Sequence, residues 1–260
     1  MFKITYTEAS LMKNIVDSFK KLYDNFCVRV TKEFVELKAI DASRISILDG
    51  RLDIKHFEEY MCEGEVVFMV RLESFHKILN LAKMNDRLIL EGQKEMDKMI
   101  VRFESKNDSR NGRFILNLKD DSQIINTPLT EFRFTHNFDF PAKRIQKIVN
   151  DFEILCEDIR LEINNKKVIW QIGSFGEEIK DAKTELLEDN SKDPFVKATI
   201  ESSNSPLTML FSSTYLKAIC QPSTHFNRLK FSLGDNCPLL VEYDIIDAGL
   251  IKIYVSPKII

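Results

Sequence analysis

Short runs in which apolar and polar residues alternate recur along most of the chain. Four segments with helical spacing interrupt them, in an order that occurs twice. Period-two alternation marks strands with one buried face. It is read at residues 34–40, 87–90, 99–103, 113–118, 131–134, 159–163, 168–172, 229–233, 239–243 and 250–255. The first helical segment puts Leu11, Ile15, Phe19 and Leu22 on one face, with Ser10 placed to cap it. The second does the same with Leu72, Phe75, Leu79 and Ala82. The third opens at Pro141, a favourable first helical position, and turns Ile145, Ile148, Val149 and Phe152 inward. The fourth, 213–221, turns Tyr215, Leu216 and Ile219 inward and stops before Pro222. Strand, helix, strands, helix, strands is thus written twice. The text after the second helix of each half is also similar: Asp86 to Leu90 (DRLIL) against Asn227 to Phe231 (NRLKF). This order predicts a duplicated α+β unit: a domain over 1–118, a second over 132–260, and a connector over 119–131 that contains Pro128 and the apolar pair Ile124-Ile125.

Composition excludes several classes. With 44% hydrophobic residues and 19 Phe the chain has the material for a core. Eight Gly and seven Pro exclude collagen-like or low-complexity character and leave little for a phosphate-cradling loop. The longest apolar run, Val66 to Val70, is far short of the ~20 residues that span a bilayer, and no membrane partner is expected. The first ten residues alternate and carry charge early, unlike a secretory leader. No nucleotide-loop, zinc-protease, nucleophile-elbow or EF-hand pattern occurs. The five cysteines form no CxxC and no ligand-like group with the four histidines, so reduced packing cysteines, no metal and no cofactor are expected. The adjacent acidic pairs Glu58-Glu59, Asp120-Asp121, Glu157-Asp158 and Glu177-Glu178 would point to opposite faces of a strand, which suits solvent better than a shared cation. Gly173 to Gly176 reads as a turn ending a strand. A non-enzymatic protein is expected, with a metal-dependent nuclease as the alternative of another class.

Charge is uneven beneath a net of -3. Over the helical segments, taken as 10–24, 72–83, 141–152 and 212–221, nine bases stand against four acids, a surplus of five, which leaves -8 elsewhere. An apolar stripe that covers a sheet forces these bases outward. The result is either four ordinary lysine-rich helices or a surface built for a phosphate backbone, with no element that reads bases.

The C-terminal text PLLVEYDIIDAGLIKIYVSPKI, from Pro238 to Ile259, resembles the end of the proliferating cell nuclear antigen family, the sliding clamps of DNA replication. Met1-Phe2, LKAIDASRISIL from Leu37, FEEYMC from Phe57 and Lys77-Ile-Leu are also similar to that family, so the resemblance runs nearly end to end. It implies the DNA clamp fold: two similar domains, each with two helices packed on antiparallel sheets, assembling as three subunits into a closed ring around double-stranded DNA in the nucleus. It implies a processivity factor that docks DNA polymerase, a clamp loader and other clients through short peptides. It assigns loose, sequence-independent phosphate contacts to Lys13, Lys20, Lys77, Lys83, Arg144, Lys147 and Lys217. It assigns a client-peptide pocket to Ile40, Arg44, Ile45, Ile47, Ile125, Pro128, Leu129, Pro238, Tyr254, Ser256 and Pro257. For Ile40, Ile45 and Ile47, core packing is the equal alternative. Ring contacts between edge strands at 109–117 and 178–184 fall to Arg110, Phe114, Leu116, Ile179 and Ala182. A subunit of a heterotrimeric checkpoint clamp is the nearest alternative. The lysine that the family modifies falls on Asn164, and Asn80, Thr214 and Gln221 replace expected helix lysines.

Overall fold

In the computed structural model the described residues are 1–83, 85–93, 97–105, 111–119, 131–164, 166–173, 181–189, 191–192, 197–203, 205–221, 226–245 and 248–259. The expected connector thus lies almost wholly outside them. Contacts divide the chain into two compact units, Met1–Thr127 with Ile245–Ile251, and Pro128–Asp244 with Lys252–Ile260.

The first half runs β1 (Phe2–Tyr6), α1 (Ser10–Phe19), β2 (Asn25–Val30), β3 (Phe34–Ile40), β4 (Ser46–Asp53), β5 (Glu59–Cys62), β6 (Val66–Arg71), α2 (Leu72–Leu79), β7 (Arg87–Gly92), β8 (Lys98–Glu104) and β9 (Asn111–Asn117). The second runs β10 (His136–Pro141), α3 (Ala142–Leu155), β11 (Asp158–Asn164), β12 (Lys167–Ile172), β13 (Lys183–Leu187), β14 (Thr199–Ser202), β15 (Leu207–Ser212), α4 (Ser213–Cys220), β16 (Arg228–Leu233), β17 (Leu239–Ile245) and β18 (Gly249–Val255). Among the described residues each half is one strand, a helix, five strands, a helix and three strands. The pairing repeats as well. The antiparallel order β5-β1-β7-β8 in the first unit recurs as β14-β10-β16-β17 in the second, and β4-β3-β2-β6 recurs as β13-β12-β11-β15. The fold is the α+β clamp fold, with two similar domains.

Each core lies where inward strand residues meet a helical stripe. α1 buries Met12, Ile15, Val16 and Phe19, and α2 buries Leu72, Phe75 and Leu79. α3 buries Ile145, Ile148, Val149 and Phe152, as the spacing requires, and packs on β10, β11, β12 and β16. In α4 Leu216 and Ile219 are buried, while Tyr215 is only half-buried and Cys220 takes the inward place. In the second unit Phe138 stacks on Phe231 at 4.7 Å, and the fully buried Trp170 meets the Phe231 ring edge-on. Gly249 explains one glycine of the C-terminal text. Its φ is +143°, and a Cβ there would collide with the Arg51 carbonyl oxygen.

Four expectations are corrected. Ser10 does not cap α1; it begins the helix, and its hydroxyl donates to Glu8. Pro141 ends β10 with extended ψ, one residue before α3, and α3 continues past 152 to Leu155. Residues 131–135 form no strand, although they alternate; the strand starts at His136. The edge strand expected at 178–184 is β13, Lys183–Leu187, and residues 174–180 lie outside the described ones, as does most of the turn expected at Gly173 to Gly176.

Phe231→Ala removes the ring at the centre of the second core. We expect a loss of about 3–5 kcal/mol in urea unfolding, the usual cost of an aromatic-to-alanine cavity. A loss under about 1 kcal/mol would show that this core collapses around the gap.

Candidate functional site

The bases sit where the helices put them. α1 packs beside α2, and α3 beside α4, and α2, α3 and α4 also pack on strands. Lys77, Lys143, Arg144 and Lys147 are exposed on the opposite sides, while Lys13 and Lys217 are half-buried. The observed helices are shorter than the expected segments, except that α3 takes in Glu153. Lys20 is the C-cap of α1, and Lys21 and Lys83 fall in turns beyond the helices. Within the four observed spans six bases stand against four acids, so the surplus is two rather than five.

Much of that charge is already partnered. Lys20 Nζ lies 2.5 Å from Asp17, Lys77 Nζ 2.8 Å from Glu73, and Lys217 Nζ 2.9 Å from Glu153. Arg71 joins Glu73 at 3.0 Å. Arg144 stands over the Phe140 ring at 5.7 Å. Lys13, Lys21, Lys143 and Lys147 make no ion pair among the described residues. The hydrogen bond from Lys77 holds the Glu73 carboxyl below the usual carboxylate range. Exposed pairs of this kind contribute little in water and exchange readily for another anion. The helical faces are therefore thinly cationic, suited to loose phosphate contact and not to tight adhesion.

In the first unit, Ile40 ends β3 opposite Ile47 of β4. Ile40, Ile45 and Ile47 are each half-buried, and the core positions of this hairpin belong to Ala39 and Leu48. They stand outside the core. The intervening turn is organised by the buried Asp41. Its carboxylate accepts from Ser46 N at 2.5 Å, Ser46 Oγ at 3.1 Å and Ser43 N at 3.0 Å. Arg44, exposed, has a φ of 56° in this turn. In the second unit Tyr254 is half-buried with its ring 5.9 Å from Phe132, which in turn lies 6.2 Å from Phe134. Phe132 is a neighbour that the sequence reading missed. Its signal was the alternation at 131–134, which marks extended backbone without saying what it packs on. Pro238 and Pro257 are half-buried and Ser256 is exposed. Ile125, Pro128, Leu129, Arg110 and Ile179 lie outside the described residues.

β9 and β13 each close one side of their sheet and pair on one edge only among the described residues. Phe114 on β9 is half-buried against Phe103 at 5.7 Å, and Leu116 is 6% exposed, turned into its own core. Ala182 is half-buried just before β13, where its carbonyl accepts from Ile172 N. The outward apolar residues of these edges are instead Ile115, 53% exposed, and Leu187, 50% exposed. An apolar residue on an unpaired edge was the available signal.

Of the adjacent acidic pairs, Asp120-Asp121 and Glu177-Glu178 lie outside the described residues. Glu58 binds Arg87, Glu59 binds Lys3 at 2.6 Å, and Asp158 binds Lys258. Among the described residues no three His, Cys, Asp or Glu side chains stand together as a metal site. The cysteines are free thiols, with Cys27, Cys220 and Cys237 buried.

Comparison with known proteins gives the same result in both halves. The family model for the N-terminal domain of proliferating cell nuclear antigen matches residues 1–124, and the model for its C-terminal domain matches 127–258. A curated protein of Chaetomium thermophilum, described as proliferating cell nuclear antigen, is 28% identical over 261 residues, covering 100% of this chain and 98% of its own length.

Asp41 holds the turn that carries Arg44 and Ile45. For Asp41→Ala we expect about 1–3 kcal/mol lower stability in urea, because three donors lose a charged acceptor. An unchanged unfolding midpoint would mean that the turn holds its shape without the carboxylate.

Proposed function

The chain belongs to the proliferating cell nuclear antigen family, the non-catalytic DNA sliding clamps, and on that premise we propose that it is a homotrimeric clamp that encircles duplex DNA and serves as a polymerase processivity factor in the nucleus. The observation that carries this reading is the low charge of the helical faces. A protein with two spare positive charges over four helices, and two of its five helix lysines already paired, is a poor adhesive for DNA. It is well suited to hold DNA by enclosure, where weak phosphate contacts let the duplex slide. The proposed contacts are Lys13, Lys20, Lys77, Lys83, Arg144, Lys147 and Lys217.

Ring closure is proposed to pair β9 of one subunit with β13 of the next, covering Ile115 and Leu187. Such joining satisfies the open backbone edges and removes two exposed apolar side chains from water. Clients such as a polymerase or clamp loader are proposed to dock short peptides, a role that the resemblance assigns to Ile40, Ile45 and Ile47 in the first unit and to Tyr254 in the second.

Enclosure and adhesion separate cleanly by experiment. Loaded onto nicked circular DNA, the protein should stay bound at high salt, since screening lysines does not open a ring. It should escape once the circle is cut. Equal retention on circular and linear DNA would contradict the clamp reading. For docking, Tyr254→Ala should weaken a client-type peptide by ~1–3 kcal/mol in calorimetry, roughly 5- to 150-fold. Unchanged affinity would place the pocket elsewhere.

A further inference from the structure

Lys20 is not simply extended into solvent. Its Nζ lies 2.5 Å from Asp17 Oδ1, one turn back on α1, and 2.8 Å from His76 Nε2 on α2. The same Nε2 lies 3.0 Å from the same Asp17 oxygen. Asn80, the C-cap of α2, brings its amide within 3.2 Å of the ring nitrogens.

These three contacts cannot all be hydrogen bonds at once. An ammonium only donates, an ionised carboxylate only accepts, and a ring nitrogen does one or the other. The hydrogen bond from Lys20 is the first reason that the Asp17 carboxyl is held below the usual range, so Asp17 is an acceptor. A bare Nε2 accepts from Lys20, and the ammonium is held on two sides. A protonated Nε2 donates to Asp17 and confronts Lys20 with a second donor, carrying like charge once the ring is cationic. The two arrangements exclude each other.

We infer that His76 is a positioning residue for Lys20: the neutral imidazole holds the ammonium back against the protein, and the protonated imidazole takes Asp17 and releases Lys20 to reach a phosphate. This rests on the DNA-facing role proposed for α1 and α2. Imidazole is the side chain whose charge ordinarily changes between pH 5 and 8. The carboxylate on α2 is occupied. Glu73 is paired with Lys77 on the same helix and with Arg71 at the end of β6. β9, which also packs on α2, carries Arg113, which makes no hydrogen bond with His76 among the described residues. Asp17 is the one carboxylate paired with His76 among the described residues. Lys13 and Lys21, also on or just beyond α1, make no ion pair with it.

The test is binding of a short fluorescent duplex over a salt series at about pH 6 and about pH 8. The wild-type protein should bind more tightly at the lower pH, with a log–log salt slope steeper by about 0.9 for each lysine released. His76→Gln, whose amide accepts from Lys20 without titrating, should lose that pH difference. A His76→Gln protein that keeps the wild-type pH profile overturns the inference. A second arm needs no DNA: imidazole nitrogen NMR shifts at the higher pH should place the ring proton on Nδ1 and leave Nε2 bare, and a proton on Nε2 there overturns the holding arrangement. A chain that binds no duplex at either pH overturns release to phosphate; the enclosure reading is decided separately by retention on circular DNA, and the nitrogen shifts still decide whether His76 holds Lys20.

Discussion

Helices of eight to fourteen residues are marginal in water by themselves and depend on a covered apolar face. α1, α2, α3 and α4 are all in this range. Each is held because stripes such as Ile145, Ile148, Val149 and Phe152 lie against strands. That single constraint fixes the chemistry of the opposite side. The charged side chains of a helix on a sheet must face away, and in this chain they are six bases against four acids. The same constraint, applied twice by duplication, gives two similar helical faces.

The fold was legible because its signals are local. The inward stripe of α3 follows from spacing alone, as does that of α2 up to Leu79, although Ala82 falls beyond the helix and is only half-buried; the repeated order of elements announced the duplication. Legibility failed where a local pattern has two outcomes. Alternation at Glu131 to Phe134 marks extended backbone but cannot supply a hydrogen-bonding neighbour, and the strand begins at His136, where Phe138 and Phe140 are buried. β2 was passed over because Phe26, Cys27 and Val28 are buried in succession, which breaks alternation. In α1 both Leu11 and Met12 are apolar, so the stripe could be drawn one residue off; the core takes Met12 and Val16.

The site was harder to read than the fold. Counting charges treats every lysine alike, whereas Lys217 is paired with Glu153, 64 residues away in the chain. Such pairing depends on how α3 and α4 lie together, which no spacing rule contains. The resemblance placed Leu116 among interface residues, yet alternation along β9 turns Leu116 inward and leaves Ile115 outside. Ile40 and Ile47 illustrate the opposite case: period two left them open between core and surface, and burial of Ala39 and Leu48 removed them from the core.

Weak, partly neutralised helix faces make functional sense only if something other than adhesion keeps the protein on DNA. The proposed closure of a ring would supply it, and it would require subunits to assemble with one another. The most direct measurement is the mass of the purified chain alone in solution, by sedimentation at micromolar concentration. The account expects a species of three times the 30.3 kDa chain. A stable monomer under those conditions would contradict it.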